Sequence, residues 1–393
     1  MVLNFVTMEL LIIGGTGVLS SAVAIESINR GIRVTIINRG NRKERIPTGV
    51  NLIIADKDDH SKISDALGSQ SFDAIIDFLC FNEKEIEKSF SFYKTYTKQY
   101  FFISSSAVYD SRIDGIKTEE SPKVNPNWKY SVDKWASEEL LVKMATRTGI
   151  NYTIIRPCVT YDDTRIPYGI MPRYGYHWTL IERIKNGKPV LTWNKGNNRC
   201  NMMRVEDFAV GVVGLIGNPK AFNEAFNVCG DEAPSFSEVL DVISKWLGKD
   251  IVRLDIPSSF YAKEAPRYSG EIMGGRSLDS INSNGKLKEA VPSFKQRISL
   301  AEGVELTLNA YKDHGYEKGI SWEYDAQCDR IVKKWCKMKG IDSSQYCARF
   351  VDYLKNAGKR ERFNYWIEKH SDKFYSKLCW LIVAVLRKYK MVK

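Results

Sequence analysis

Three side chains in the first half of the sequence have the types and spacing of a proton-transfer site. Tyr130 and Lys134 are four residues apart in a stretch of helical character, so they share one helical face. A phenol has an ordinary pKa of about 10, and a neighbouring ammonium favours the phenolate. The third is a serine of the run Ser104, Ser105 and Ser106, which follows an apolar segment and where a hydroxyl can hydrogen-bond a reacting oxygen. The pattern predicts that Tyr130 exchanges protons near neutral pH.

A glycine-rich turn near the N-terminus predicts a second kind of site. The turn lies between a short apolar segment, 9–13, and an amphipathic segment, 18–29, and Ser20 stands where a third glycine is common. Glycine lets the backbone turn tightly and lets a pyrophosphate approach, while the helix N-terminus supplies free N–H groups. The residues expected to contact a dinucleotide are Gly14, Gly15, Thr16, Gly17, Val18 and Leu19.

The end of the second predicted strand bears on which dinucleotide binds. An acid about 20 residues after the turn is typical of NAD sites, but Asn38 and Arg39 occupy this position, with Arg42 and Lys43 close behind. A guanidinium suits the 2′-phosphate of NADP, so the sequence favours NADP over NAD. The alternative is that these are solvated loop charges and NAD binds. Asp56, after the third strand, is expected to accept a hydrogen bond from the adenine amino group.

The first 160 residues alternate between apolar and amphipathic segments. The apolar segments lack polar alternation, which is typical of strands buried on both faces of a parallel sheet. Strands that alternate with helices at this spacing predict an α/β fold with a Rossmann-type doubly wound parallel sheet. The predicted strands are 9–13, 33–38, 51–55, 73–78, 100–104 and 152–156, and the predicted helices are 18–29, 60–67, 83–96 and 133–148.

The remainder of the chain predicts further parts. The dinucleotide-binding domain is expected over 1–175, with 200–230 returning to it, and a smaller α+β substrate domain over 176–310. Within the latter, 258–285 is rich in Gly and Ser and predicts a substrate loop. Residues 311–393 predict a basic helical C-terminal extension, because 312–393 contains 19 Lys/Arg against 10 Asp/Glu.

Composition narrows the class of protein. Of the 393 residues, 44% are hydrophobic and 27% are charged, which is an ordinary balance for a globular protein. The sequence has no run of about 18 apolar residues, so no membrane-spanning helix is expected. The first residues lack a basic region and a cleavage site, so we interpret them as leading into a strand rather than as a signal peptide. The eight cysteines are scattered, as expected of reduced thiols, which favours a cytoplasmic protein. The histidines have no metal-ligand spacing, and no metal is expected.

The turn, the strand-end serines and the Tyr-Lys pair together resemble the extended short-chain dehydrogenases/reductases. Within them the chain resembles the NAD-dependent epimerase/dehydratase family, in a divergent branch similar to UDP-glucose 4-epimerases, over about residues 9–310. Four further segments carry this resemblance: Ile155-Arg156-Pro157, Val205-Glu206-Asp207, Phe226-Asn227-Val228 and Asn284-Gly285-Lys286-Leu287-Lys288.

The resemblance implies roles for particular residues. Ser105 and Tyr130 would act on the substrate, and Lys134 would orient the cofactor ribose and lower the pKa of the tyrosine. The 4,6-dehydratases carry an Asp-Glu pair where this sequence has Ser106 and Ala107, which disfavours water elimination. A nucleotide-sugar 4-epimerase or 4-keto reductase, of the kind that serves polysaccharide biosynthesis, is therefore expected. The residues expected to hold the nucleotide sugar are Ser106, Arg199, Arg204 and Arg276.

Other partners follow from the same resemblance and from the tail. The segments GGTG, VTIINRG and DFLCFNEKEI also resemble a branch that includes chloroplast stem-loop RNA-binding proteins, so RNA binding is the alternative function, although nucleic acid is not the expected partner. The family implies a homodimer. Residues 378–386 are apolar and flanked by Lys and Arg, and a helix packed on the body or on a dimer partner is expected here. The alternatives are a helix on an anionic membrane surface and the binding of nucleic acid.

Overall fold

A computed structural model describes residues 8–346, 352–355, 357–371, 378, 381, 382, 384 and 385. The chain forms two compact units, each assembled from separate stretches of sequence. The first unit comprises Met1–Asp162, Arg199–Ser235 and Gly274–Gly303, and the second comprises Asp163–Asn198, Phe236–Met273 and Val304–Lys393.

A seven-stranded parallel sheet forms the centre of the first unit. Its strands are β1 (Glu9–Ile13), β2 (Arg33–Asn38), β3 (Asn51–Ile54), β4 (Ala74–Asp77), β5 (Gln99–Ile103), β6 (Asn151–Pro157) and β10 (Glu224–Val228). Their order across the sheet is β10-β6-β5-β4-β1-β2-β3, and every neighbouring pair is parallel. Two further strands of this unit, β7 (Val159–Tyr161) and β9 (Met202–Arg204), pair with each other.

Helices of the first unit cover the sheet. They are α1 (Val18–Asn29), α2 (His60–Leu67), α3 (Glu83–Tyr93), α4 (Lys129–Thr148), α6 (Val205–Val213) and α10 (Gly285–Ala290). A further helix, α11 (Leu300–Asp313), begins in the first unit and has most of its residues in the second. Leu10 and Ile12 of β1 enter one apolar core, while Leu11 and Ile13 enter the core on the opposite face. The continuous apolar runs of the strands follow from this burial on both sides, and the doubly wound fold is confirmed.

The second unit is mainly helical, around the two-stranded parallel sheet of β8 (Val190–Thr192) and β11 (Arg253–Asp255). Its helices are α5 (Trp178–Lys185), α7 (Phe236–Leu247), α8 (Ser258–Glu264), α9 (Ser269–Glu271), α12 (Trp322–Lys339), α13 (Asp352–Lys355) and α14 (Lys359–Lys369). Ile331 and Trp335 of α12 pack in one core with Leu191 and Leu254 of the two strands. A helix of the expected C-terminal extension is therefore part of the second unit's core.

Four buried charges join α12 to the rest of the second unit. Arg183 donates to Asp325 at 2.6 Å and to Asp329 at 2.9 Å, and Lys188 donates to the same carboxylates at 2.6 and 2.8 Å. Tyr365 of α14 donates to Asp329 at 2.7 Å. The two carboxylates of the extension balance the two cations, so the cluster has no net charge, and this part of the basic extension can be buried.

The compact units do not have the bounds predicted for the domains. Residues 274–303 lie in the first unit, whereas the sequence assigned them to the substrate domain, and residues 163–175 lie in the second unit rather than in the dinucleotide-binding domain. The predicted loop over 258–285 begins as α8 and continues through short helical turns to Arg276, because Tyr261 and Ile272 are apolar and buried in the second unit's core. Helix α4 also begins four residues earlier than predicted.

The C-terminal apolar segment 378–386, for which a helix was predicted, lies largely outside the described residues. Of its nine apolar residues, Leu378, Leu381, Ile382, Ala384 and Val385 are described, all helical and exposed. In the described part of the chain no helix is long and apolar enough to cross a membrane. The six cysteines at described positions are all free thiols.

Candidate active site

The predicted site residues of the first unit follow the carboxyl ends of neighbouring strands. From β1 the chain continues to β2 and β3 on one side of the sheet, while β4, β5 and β6 lie on the other. In doubly wound sheets, ligands bind in the crevice where the strand order reverses in this way. The glycine turn follows β1, Asn38 ends β2, Asp77 ends β4 and Ser105 follows β5. The fold thus places these residues along one edge of the sheet.

The glycine turn has a backbone that favours glycine. Gly14 and Gly15 have φ angles of +119° and +80°, in the region that L side chains rarely adopt. A Cβ atom on Gly15 would lie 2.3 Å from Cγ2 of Ile36 on β2, so this position has no room for a side chain. The first bond within α1 runs from the Ser21 N–H to the Gly17 carbonyl, at 3.1 Å. The N–H groups of Val18 and Leu19 precede it and are available to an anion.

Ser20 adapts the turn to the absence of a third glycine. Its side chain is 2% exposed, and its Oγ accepts a hydrogen bond from the Gly17 N–H at 2.9 Å. The hydroxyl therefore satisfies one N–H of the turn from within the protein. The cradle left by Gly14 and Gly15, together with the free N–H groups at the start of α1, fits a dinucleotide pyrophosphate.

The residues predicted to meet the ribose side of a dinucleotide lie at or just after the ends of β2 and β3. The Asn38 Oδ1 accepts from the Gly40 N–H at 2.8 Å, and its Nδ2 is buried without a partner among the described residues. Arg39 is exposed, whereas Arg45 is held by Asp162 at 2.6 Å. Asp56 is exposed, and its Oδ1 accepts from the Asp58 N–H at 3.1 Å.

The serines after β5 differ in what their hydroxyl groups do. Ser104 is buried and donates its hydrogen to Oε1 of Glu138 at 2.5 Å. Ser105 is half-buried, and its Oγ accepts from the Ala107 N–H at 3.2 Å. Because the Ser105 oxygen acts as acceptor in this bond, its own hydrogen can be donated to a bound substrate, whereas that of Ser104 is already engaged.

Tyr130 and Lys134 lie together at the start of α4. The Lys134 Nζ is 5.9 Å from the centroid of the half-buried Tyr130 ring, and the Trp128 ring lies 5.1 Å from the same ring. Ser131 donates a hydrogen bond to the Ala107 carbonyl, which ties the start of the helix to the turn that carries Ser105. The structure thus brings the serine turn and the Tyr-Lys face together.

Lys134 is buried and held by the backbone of two strand ends. Its side chain is 2% exposed, and its Nζ donates to the carbonyls of Cys80 at 2.5 Å and Ile103 at 2.7 Å. Burial lowers the pKa of Lys134 to about 8, although the nearby Cys80, Asp77, Glu138 and Glu85 act in the opposite direction. An ammonium has three donors, so one remains for a ribose hydroxyl or for the tyrosine.

Asp77, a buried carboxylate at the end of β4, organises the loop that holds Lys134, and it was not among the predicted site residues. Asp77 is 1% exposed. Its Oδ1 accepts from the Leu79 N–H at 2.7 Å, and its Oδ2 accepts from the Tyr100 hydroxyl and the Cys80 thiol, each at 3.1 Å, and from Ser89. The position of Asp77 at the end of a buried strand could have indicated its role, because a buried carboxylate needs hydrogen-bond partners or lies in a functional site.

A second buried network supports the same face of the Tyr-Lys helix, one turn further along. Glu138, one turn after Lys134, accepts from the Arg156 guanidinium at 2.6 and 3.1 Å. Arg156 also donates to the Tyr109 hydroxyl at 2.9 Å, and Tyr109 donates to the Asn227 amide oxygen at 2.6 Å. These bonds fix α4 against β6 and β10. The spacing of Glu138, eight residues after Tyr130, was a signal that this residue shares the same helical face.

The predicted substrate residues all belong to the first unit, but they differ in surroundings. Ser106 begins the helical turn after Ser105. Arg199 is exposed and donates to the Ala233 carbonyl at 2.8 Å. Arg204 is 3% exposed, and its guanidinium binds Glu206 at 2.6 and 2.9 Å. Arg276 is half-buried at the end of a π-helical turn. Arg204 thus pairs with a carboxylate of the protein, whereas the described contact of Arg199 is to a backbone carbonyl.

The fold and the strand-edge turn place the protein among Rossmann-type α/β proteins. The model of the NAD dependent epimerase/dehydratase family matches residues 10–229, and the chain belongs to this family. The match covers the whole parallel sheet, the glycine turn and the Tyr-Lys helix.

Relatives at the sequence level are distant. The chain is 25% identical over 252 residues to the chloroplast stem-loop binding protein of 41 kDa b from Arabidopsis thaliana, covering 60% of this chain and 62% of that protein. It is 25% identical over 329 residues to a putative UDP-glucose 4-epimerase from Methanocaldococcus jannaschii, covering 78% and 99%. It spans 63% of a UDP-glucose 4-epimerase from Vibrio cholerae at 21% identity, so two of these three relatives are matched over less than two thirds of their length.

Solved structures share the fold. The UDP-glucose 4-epimerase of Thermotoga maritima with UDP-glucose superposes with a TM-score of 0.62 at 18% identity, covering 78% of this chain and 99% of that one. The UDP-glucuronic acid 4-epimerase of Bacillus cereus, in complex with UDP-glucuronic acid and NAD, gives 0.61 at 18% identity, covering 78% and 100%. At these identities the likeness establishes the fold.

Proposed function

We propose that this protein is an NAD(P)-dependent nucleotide-sugar epimerase or 4-keto reductase that uses Ser105, Tyr130 and Lys134. The observation that carries the proposal is the buried Lys134 ammonium, which lies one helical turn after Tyr130 with its Nζ 5.9 Å from the phenol ring. Epimerases of the same fold are solved with UDP-sugars and with NAD, which supports this class of substrate and cofactor.

Each residue has a defined part in the proposed reaction. Tyr130 as phenolate takes the proton from the sugar hydroxyl and returns it to the carbonyl oxygen in the reverse direction. Ser105 donates a hydrogen bond to the same oxygen, and the positive charge of Lys134 favours the phenolate. The nicotinamide, when bound, supplies the hydride acceptor and donor. Ser106 and Ala107, in place of an acidic pair, provide no acid or base for eliminating water.

The cofactor preference is part of the proposal. Arg39 is exposed at the end of β2, and the Asn38 Nδ2 beside it is a buried donor without a described partner. A guanidinium and an amide N–H both suit a 2′-phosphate, which favours NADP. Mass spectrometry of small molecules released from the denatured protein tests this directly. Tightly bound NAD would favour an epimerase and overturn the NADP preference, while exchangeable NADP would favour a reductase.

Replacing the tyrosine tests the chemistry. Tyr130→Phe keeps the ring and its packing against Trp128 but removes the ionisable hydroxyl. We expect turnover of UDP-glucose or UDP-galactose, followed as interconversion or reduction, to fall by about 10²- to 10⁴-fold while dinucleotide affinity is unchanged. Tyr174→Phe, at an exposed tyrosine of the second unit, is the matched control. Retained turnover in Tyr130→Phe would exclude this mechanism.

RNA binding is the second candidate, favoured by the match to the chloroplast stem-loop binding protein. It predicts affinity for stem-loop RNA that falls steeply with salt concentration. Gel-shift titrations at low and physiological salt decide this point. The absence of binding at low salt would remove the candidate, and binding without any dinucleotide affinity would favour it over the enzyme.

A further inference from the structure

Trp128 immediately precedes the Tyr-Lys helix, at a position that suits a small polar residue. It is the N-cap of α4, with an extended backbone, and its side chain makes no capping hydrogen bond. Serine, threonine, aspartate and asparagine are preferred at an N-cap, because their side chains accept hydrogen bonds from the free N–H groups of the first turn. A tryptophan does not supply this bond. Such a local conflict is expected where a residue serves a functional site rather than the stability of a helix.

The loop that leads to Trp128 is also held in an unusual conformation. Val124 has a φ of +88°, which a β-branched side chain rarely adopts, and its N–H donates to the Val108 carbonyl at 3.0 Å. Asn125 is 1% exposed, and its Nδ2 donates to the Gly274 carbonyl at 2.5 Å. Backbone strain persists only where the surrounding structure enforces it, and it is concentrated at functional sites. These contacts fix the loop that positions Trp128.

Trp128 contacts both the proposed proton-transfer residue and the segment that leads to Arg276. The centroid of its ring is 5.1 Å from that of Tyr130, and the two planes are tilted by 43°. A Cβ atom on Gly274 would lie 2.7 Å from the Trp128 Cβ, and one on Gly275 would lie 3.4 Å from Cζ3 of the indole. The next residue is Arg276, which is expected to hold the diphosphate of a nucleotide sugar. Trp128 therefore adjoins the residues proposed for both ends of the sugar.

Part of the indole is available to a ligand. Trp128 is half-buried, and its N–H donates to no residue that the structure describes. An indole has an apolar ring that packs on hydrocarbon and one N–H that requires an acceptor. A pyranose has the matching groups, because C–H bonds cover its faces and hydroxyl oxygens lie around its rim. In a nucleotide sugar this ring is attached directly to the diphosphate, so it lies between a phosphate-binding residue and the residue that acts on its 4-hydroxyl.

We propose that Trp128 is a substrate-binding residue whose indole packs against the pyranose ring of the nucleotide sugar. This inference rests on the proposed function of the Tyr130 site and adds the residue that recognises the sugar. Apolar contact is non-directional, so the indole accepts both 4-epimers and permits the rotation of a 4-keto sugar that epimerisation requires. Trp128 thus selects for a pyranose ring and not for the configuration at its C4 atom.

Isothermal titration calorimetry of the full-length protein with UDP-glucose and with UDP tests the proposal. UDP lacks the glucose ring, so a comparison of the two affinities isolates the contribution of the sugar. We expect Trp128→Ser to weaken UDP-glucose binding about tenfold, with UDP affinity unchanged. Trp128→Phe keeps an aromatic ring and should retain most of the UDP-glucose affinity.

Urea denaturation and steady-state kinetics separate a substrate contact from a purely structural role. Serine is a preferred N-cap residue, so the midpoint of urea unfolding should not fall in Trp128→Ser. The KM for UDP-glucose should rise by a larger factor than kcat falls, because the contact is made to the bound sugar before and during the reaction. Trp135→Ser is the matched control, since Trp135 is also half-buried and lies on α4, and it should leave the UDP-glucose affinity unchanged.

The outcomes distinguish this proposal from the proposed function. Unchanged UDP-glucose affinity in Trp128→Ser would overturn the role of Trp128 and leave the proposed reaction in place, which Tyr130→Phe tests separately. Equal losses of UDP and UDP-glucose affinity, together with a lower urea midpoint, would make Trp128 a structural residue and would also overturn the proposal. If the unchanged protein bound neither ligand, the role of Trp128 and the nucleotide-sugar function would both be excluded.

Discussion

Lys134 and Cys80 are joined by a 2.5 Å hydrogen bond from the lysine ammonium to the cysteine carbonyl, at the floor of the candidate site. The thiol of the same cysteine donates to Asp77. The catalytic candidate on α4 is therefore connected through one residue to a buried carboxylate at the end of β4. A substitution at Asp77 therefore affects Lys134 in two ways. It changes the position of the loop that binds the ammonium, and it changes the electrostatic field at the ammonium.

The first prediction concerns the charge of Lys134. Its pKa is lowered by burial to about 8, and the negative charge of Asp77 works against that lowering. Asp77→Asn removes this charge, so the pKa of Lys134 should fall further and the ammonium should be lost at a lower pH. The NMR shifts of ¹³C-labelled lysine Cε groups, titrated without cofactor and assigned with Lys134→Arg, measure it directly. The control Tyr100→Phe removes one hydrogen bond to Asp77 but no charge, so the titration midpoint of Lys134 should not change. A midpoint near 10.5 for Lys134 in the unchanged protein would contradict the prediction.

The second prediction separates two neighbouring serines. Ser105→Ala removes a hydroxyl whose hydrogen is available to substrate, so turnover should fall by about 10²-fold with little change in stability. Ser104→Ala removes a buried bond to Glu138, so it should cost about 1–3 kcal/mol of unfolding free energy. Steady-state kinetics and urea denaturation of the two variants make the comparison. Equal kinetic effects would show that the assignment of Ser105 is wrong.

The third prediction addresses cofactor choice. Arg39→Ala removes the exposed guanidinium at the carboxyl end of β2 and should weaken NADPH binding about tenfold, with NADH affinity unchanged. Arg33→Ala, at the opposite end of the same strand, where the side chain bonds to Glu9, is the control. Fluorescence titration with both nucleotides gives the affinities. A loss of affinity for both nucleotides to the same extent would argue against a 2′-phosphate contact.

The fourth prediction concerns the buried charges of the second unit. Burial alone would raise the pKa of Asp329, but the charges of Arg183 and Lys188 outweigh it and hold the pKa below its ordinary value. A carboxyl with a depressed pKa adds stability above the unfolded pKa of about 4, and this stability is lost as the pH falls below that value. Asp329→Asn should lower the unfolding free energy by about 3–5 kcal/mol at pH 7, because it leaves two buried cations, Arg183 and Lys188, with the single carboxylate of Asp325.

Urea denaturation between pH 7 and pH 2 measures this effect. Asp342→Asn, at an exposed carboxylate in the same unit, is the control and should change stability by less than about 0.5 kcal/mol. If Asp329→Asn unfolded at the same urea concentration as the control, the buried cluster would not hold α12 in place.

Much of the first unit could be predicted from local sequence patterns. The bounds of α1, α2 and β2 agree with the structure, because each is set by a local change from apolar periodicity to turn residues. The helical spacing of Tyr130 and Lys134 was likewise sufficient to place both side chains on one face. The glycine turn needed only its position between a strand and a helix.

Other features depend on residues far apart in the sequence. The carboxylates of Asp77 and Glu138 are ordinary polar residues in the sequence, and burial beside Lys134 gives them their importance.

Short-range periodicity and glycine positions were enough to predict the fold class, the strand-turn-helix at the N-terminus and the family. The tertiary structure, by contrast, determines which of two serines keeps a free hydrogen and which carboxylates surround Lys134. It also decided that α12 belongs to the second unit's core. The physical reason is that hydrogen-bond partners and burial are set by contacts between distant segments, which no local pattern specifies.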